Sequence, residues 1–208
     1  MTAPSLSKAL IEVGRRFYSR HWVLATSGNF SAVMSHSPLR LCITQSAAHK
    51  GTLTTRDFLT IDESARPIGR MARRPSAEAR LHVAIVLARK AGAVLHTHSV
   101  WSTMLSDRHA DEGGLALQGF EMLKALDGVS THTHREWLPI VENDQDMARL
   151  AGAMTGILGD HPDAHGLLIR GHGLYTWGRT IAEAERHVEA FEFLLEVVAR
   201  QSGAPGLQ

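Results

Sequence analysis

Residues 95–98 read Leu-His-Thr-His and residues 171–173 read Gly-His-Gly. Along an extended strand, side chains alternate faces, so His96 and His98 point the same way and can chelate one ion. His172 is the best third ligand. It lies between two glycines at the end of an apolar run, where the backbone can turn sharply and present the ring. Three neutral imidazoles at roughly 2.0–2.1 Å leave one coordination position open, the pattern of a catalytic rather than a structural zinc site. Taken alone, a His-x-His pair also fits two polar residues on an exposed strand face. An all-imidazole site suits zinc, iron, manganese or cobalt.

The chain has thirteen histidines. His132 and His134 form a second His-x-His, but no apolar strand residues precede it, and a solvated loop is expected there. His21, His36, His49, His82, His109, His161, His165 and His187 share no spacing and are expected on loops or exposed helix faces.

The elements that must position the three histidines follow from periodicity. Leu6, Leu10, Val13 and Phe17 recur at helical spacing and predict an amphipathic helix over 5–20. The turn 26–29 leads into a strand at 30–34, followed by strands at 39–44 and 58–61. Ser76 reads as an N-cap with Glu78 in the first turn of a helix running to about Lys90, which Gly92 ends. Residues 93–97 form an apolar strand that delivers His-Thr-His. A short helix is expected at 118–126, a strand at 137–141 and a helix at 144–158. Strands at 167–170 and 174–177 flank the Gly-His-Gly loop. A long helix over 180–200 carries Ile181, Ala184, Val188, Phe191, Leu194 and Leu195 on one stripe. Residues 201–208 read as a frayed tail. The whole, 1–208, is expected to be one α/β domain with a largely antiparallel central sheet covered by helices.

Composition narrows the class. The chain has 208 residues, 44% hydrophobic and 21% charged, enough for a sizeable core in one domain. A net charge of +1, with no basic stripe interleaved with aromatics, argues against a nucleic-acid partner. A small phosphorylated ligand needs only a few local donors. The one cysteine, Cys42, allows no intramolecular disulfide and reads as a buried thiol. No apolar run approaches the ~20 residues that span a bilayer, so no membrane association is expected. The opening segment also lacks the apolar stretch of a secretion signal, so a cytoplasmic location is expected.

Five segments, in order, resemble the class II aldolase/adducin head-domain family: residues 26–29 (Thr-Ser-Gly-Asn), 44–46 (Thr-Gln-Ser), 75–78 (Pro-Ser-Ala-Glu), 96–98 and 171–173. Three further runs, 118–126, 138–143 and 173–178, make the chain most similar to members that dehydrate a phosphorylated ketose. The resemblance implies a class II aldolase-like domain, a homotetramer with sites near subunit interfaces, and one Zn2+ per subunit. It assigns His96, His98 and His172 to the metal. Glu78 matches an acidic residue that either ligates the resting ion or acts as base. Glu121 matches the general acid/base. Ser27, Gly28, Asn29, Thr44, Ser46 and Ser76 match phosphate-binding segments; turns and a helix start supply N–H donors suited to an anion. The family often has glycine where Ala47 stands, which bears on the loop 45–51. Lys50 either adds charge to the phosphate or is a solvated lysine. The rival readings are a sugar-phosphate aldolase or 4-epimerase, and a non-enzymatic interaction module of the adducin kind. The aldolases and epimerases generally use a tyrosine near the C-terminus, and none occurs in 179–208.

Overall fold

The computed structural model describes residues 3–69 and 74–203. Helix α1 (Ala3–Ser19) buries Leu6, Leu10, Val13 and Phe17, the stripe that its periodicity defines. Burial of each such side chain contributes about 1.5–3 kcal/mol. Strands β1 (Asn29–His36), β2 (Leu39–Thr44) and β3 (Phe58–Ile61) follow. Helix α2 (Ala79–Arg89) leads to β4 (Ala93–Thr97) and α3 (Val100–Arg108). Then come β5 (Gly114–Gln118), β6 (Arg135–Val141), α4 (Met147–Asp160), β7 (Gly166–Ile169), β8 (Gly173–Gly178) and α5 (Ile181–Gly203).

The eight strands form one sheet in the order β3-β2-β1-β4-β8-β7-β6-β5. Strands β6 and β7 run parallel; the other neighbours are antiparallel. Alternation along β4 shows how the layers form. Val94 joins a core with Leu81 and Ile85 of α2 and Leu150 and Met154 of α4. Ala93 and Leu95 face the other way, toward α1 and the start of α5. The rest of α5 packs Phe191, Leu194 and Leu195 against Leu117, Leu138 and Leu174. This is the expected α/β arrangement, with helices on both faces of the sheet. Cys42 is buried in the α1 layer, and burial pushes its thiol up to about 11. Among the described residues, no helix is long and apolar enough to cross a membrane.

Several local expectations are corrected. Residues 118–126 hold the end of β5 and a 3-10 turn at Glu121–Ala125 rather than one helix. Gly119, with φ +85°, interrupts them. Helix α3 has no strong apolar period, and β5 is too short for the alternation of Leu115 and Leu117 to stand out, so the sequence reading misses both. Helix α2 starts at Ala79, with Glu78 rather than Ser76 in the N-cap position. It is ended by Lys90 in a left-handed conformation, not by Gly92. Gly92 serves close packing instead, since a Cβ there would lie 2.0 Å from the Arg179 carbonyl oxygen. Of the tail 201–208, α5 takes residues up to Gly203, and the remainder lies outside the described residues.

The expectation for the scattered histidines also needs correction, because His82 and His187 are buried. His187 donates from Nδ1 to the Trp177 carbonyl at 2.7 Å and accepts the Asp127 N–H at Nε2. His165 and His134 both reach the buried Glu136 carboxylate, at 3.0 and 2.9 Å. His132 is exposed, as expected.

Candidate metal centre

Three adjacent strands set the site. In register, Asn29 of β1 pairs with His96 of β4, and His96 pairs with Tyr175 of β8. The His96 and Tyr175 rings stack, with centroids 3.9 Å apart. His98 lies just past β4, its backbone N–H held by the Trp22 carbonyl at 2.7 Å. His172 sits in the β7–β8 turn, where Gly171 takes φ +59°. At Gly173 a Cβ would fall 2.1 Å from the Thr97 carbonyl oxygen, so only glycine lets this turn approach β4. Helix α3 braces the turn: Thr103 Oγ1 donates to the His172 carbonyl at 3.0 Å, and Ser106 Oγ accepts the Gly171 N–H at 3.1 Å.

The imidazoles converge. His98 Nε2 stands 2.8 Å from His96 Nε2 and 3.2 Å from His172 Nε2. Glu78 closes the group, with Oε1 3.1 Å from His172 Nε2 and Oε2 3.4 Å from His96 Nε2. Among the described residues, these four side chains form the cluster of metal-ligating type. Donors around a tetrahedral ion at 2.0–2.1 Å stand roughly 3.3 Å apart, close to the spacings here. His96 donates from Nδ1 to the Leu174 carbonyl at 2.9 Å, which leaves its Nε2 lone pair aimed at the cluster. Burial pushes His96 down to about 3 and His98 down to about 2, the neighbouring rings reinforcing the shift and Glu78 opposing it. Neutral imidazole is the metal-binding form. Burial by itself would raise the Glu78 carboxyl, but His96, His172 and Asn29 outweigh it and hold the group well below the usual carboxylate range. Bare imidazole lone pairs beside an ionised carboxylate fit a divalent cation.

The structure brings some of the expected phosphate residues together. Asn29 Nδ2 donates to Ser76 Oγ at 2.9 Å and also to Glu78 Oε2. Gly28 has φ +72°, and a Cβ there would meet the His96 carbonyl oxygen at 2.6 Å. An isolated bridge between Gln45 and Pro75 holds the second and third segments side by side, as does the Ser46 N–H donated to the Arg74 carbonyl. Other hydroxyls have structural partners: Thr44 Oγ1 accepts the Phe30 N–H, and Ser27 Oγ donates to the Leu24 carbonyl. Ala47 does adopt the left-handed conformation, φ +58°, at a cost of roughly 1–2 kcal/mol that glycine would avoid. Lys50 is not a solvated lysine. It is buried, donates from Nζ to the Thr26 and Ala48 carbonyls, and is pushed down to about 8 by burial. It thereby ties the first segment to the second.

Glu121 stands apart from the cluster's contacts. Its exposed carboxylate pairs with Lys124 at 2.6 Å and with His132 at 3.3 Å.

Sequence reasoning missed Tyr175 and His82. Tyr175 OH donates to Glu78 Oε2 at 2.9 Å. His82 lies one helical turn past Glu78 and packs edge-on against Tyr175, ring centroids 5.7 Å apart. The i,i+4 spacing from Glu78 was its available signal.

The chain matches known proteins in both sequence and fold. Residues 8–199 match the Class II Aldolase and Adducin N-terminal domain family, and the chain belongs to that family. Methylthioribulose-1-phosphate dehydratase of Sorangium cellulosum is 44% identical over 96% of this chain and 93% of its own length. The enzyme of the same name from Pseudomonas syringae pv. tomato is 46% identical over 94% and 95%. That from Azotobacter vinelandii is 43% identical over 99% and 98%. Among solved structures, YgbL from Escherichia coli superposes with a TM-score of 0.81 at 20% identity, covering 98% of this chain and 92% of that one. An L-fuculose 1-phosphate aldolase superposes at 0.79 and 18% identity, covering 100% and 92%. These two likenesses show the fold.

Proposed function

We propose that the chain is a metal-dependent hydro-lyase that dehydrates 5-methylthioribulose 1-phosphate to 2,3-diketo-5-methylthiopentyl 1-phosphate, a step of methionine salvage. The observation that carries this is the convergence of three imidazole Nε2 atoms and an ionised Glu78, in a chain 43–47% identical over nearly its whole length to dehydratases of that name. His96, His98 and His172 would hold the ion, with Glu78 beside it, and Zn2+ is the ion proposed. When bound, a divalent cation supplies Lewis-acid polarisation of the C2 carbonyl and so acidifies the C3 proton.

The chain's residues do the rest. Ser76 and the segments around Gly28, Asn29 and Ser46 hold the phosphate, with the Asn29 side chain orienting Ser76 and with Ser27 and Thr44 shaping those segments. Glu78 is ionised and positioned either to complete the ligand set or to take the C3 proton. Glu121, which must first leave its pair with Lys124 and take up a proton, donates to the C4 hydroxyl as it departs as water. The C3–C4 enol then ketonises by taking a proton at C4, giving the 2,3-diketone. One water leaves and no C–C bond breaks. A homotetramer working in the cytoplasm belongs to the same proposal.

A dehydration assay on 5-methylthioribulose 1-phosphate tests it. Wild type should form diketone; metal-stripped protein should not. Glu121→Gln should retain bound Zn2+ and lose on the order of 100-fold or more in kcat, the scale of a general acid. Metal-loaded wild type that instead cleaves or epimerises a sugar phosphate would replace this reading by the aldolase or epimerase one. Full activity in Glu121→Gln would remove that residue's role.

A further inference from the structure

Behind Glu78 lies a chain of hydrogen bonds that the reaction does not use directly. The Glu78 carboxylate can only accept, so Asn29 must face it with its NH2 group; the two amide hydrogens go to Glu78 Oε2 and Ser76 Oγ. The Asn29 amide is therefore fixed, with Oδ1 turned the other way, onto His82 Nε2. Since Oδ1 accepts, His82 Nε2 must carry the proton and Nδ1 must be bare. The bare Nδ1 accepts the Ser31 hydroxyl at 2.8 Å. A single tautomer satisfies every member, and every member is buried or half-buried. Exchanging the tautomer would set two lone pairs, on Nε2 and Oδ1, against each other.

We propose that His82 is a positioning residue for the metal centre: through Asn29 it fixes the direction of the Glu78 carboxylate and holds the same amide toward Ser76 of the proposed phosphate site. The proposal rests on the reading of the four-residue cluster as a metal centre. Position supports it, because Asn29 is also paired in register with His96, so one asparagine links a ligand strand, a carboxylate of the cluster and a phosphate segment. His82 anchors the Oδ1 end of that asparagine, so the amide is held at both ends. Asparagine alone has two orientations of similar shape; the flipped one would aim Oδ1 at the Glu78 carboxylate, oxygen against oxygen.

The test is Zn2+ affinity, measured by competition with a chromophoric chelator in wild type, His82→Phe, His82→Gln, Glu78→Ala and the double variants. His82→Phe keeps the aromatic volume and removes both hydrogen bonds. It should bind Zn2+ roughly 10–100-fold more weakly, the range found for outer partners of metal ligands. His82→Gln retains an N–H donor near the place of Nε2 and should recover most of that loss. In the Glu78→Ala background, His82→Phe should cost little more, because its effect runs through Glu78. Wild-type affinity in His82→Phe, or an equal loss with and without Glu78, would overturn the proposal. The second outcome would show a merely structural role. If His82→Phe does not fold, His82→Leu enters the same cycle: it also removes both hydrogen bonds and should weaken Zn2+ binding only when Glu78 is present, and unchanged affinity overturns the proposal. A wild type that binds no Zn2+ would overturn the metal reading and this inference together, whereas a failed cycle on a Zn2+-binding wild type leaves the metal reading intact.

Discussion

Single atoms decide this site at the residue scale. Gly28 and Gly119 both take positive φ, +72° and +85°, but a Cβ at Gly119 meets nothing within 4 Å whereas one at Gly28 presses on the His96 carbonyl and Val23. Gly119→Ala should therefore cost only the conformational strain, about 1–2 kcal/mol. Gly28→Ala should cost on the order of 3 kcal/mol or more and displace β4 at His96. Urea denaturation of the two variants measures the difference, and equal losses would deny the contact its importance. At this scale the sequence was partly legible. His96, His98 and His172 could be found because strand alternation and a Gly-His-Gly turn are local patterns. Glu78 and Asn29 came from resemblance. Tyr175 was hidden, since its role depends on which strands are neighbours, and for His82 the i,i+4 spacing from Glu78 was the one local sign.

At the scale of elements, α5 clamps β4 from behind. Thr97 points to the opposite face from His96, and its Oγ1 donates to Glu192 Oε1 at 2.8 Å. Glu192 is buried on α5, and burial pushes its carboxyl up to about 7 from the usual 4.5, against the pull of Ser99 and Thr97. A raised carboxyl favours folding while it is protonated in both states. That contribution is complete below the unfolded value near 4.5 and is lost as pH rises through 7, for a total on the order of 3 kcal/mol. Glu192→Gln should flatten this part of the profile: its melting temperature should fall less than that of wild type between about pH 4.5 and 8. Parallel profiles would show that the carboxyl titrates normally. Elements with a clear period, α1 and α5, were legible from sequence to within a few residues. Helix α3 was not, although it braces the His172 turn, because the bonds from Thr103 and Ser106 leave no apolar pattern.

For the whole molecule, the metal should behave as part of the fold. An ion held only by the native state stabilises it by about 4 kcal/mol at a thousandfold excess over Kd. For a chain of 208 residues that corresponds to a rise of roughly 10 °C in Tm. Calorimetry of stripped and Zn2+-loaded protein checks this, and coincident transitions would mean the ion is not held by the folded chain. The α/β class and the antiparallel sheet were legible because compact apolar strands separated by turns leave few alternatives. Strand order was not, since β4 lies between β1 and β8, partners distant in sequence.

That strand order has a kinetic consequence. His98 and His172 are 74 residues apart in the chain and meet only once β4 and β8 have paired, and Glu78 finds Tyr175 across 97. Loops of that length close late, after local helices have formed. The histidines are thus scattered in the nascent chain and become a chelate only when the sheet is nearly complete. A cation bound there would act as a latch, slowing the escape from the native state rather than speeding the approach to it.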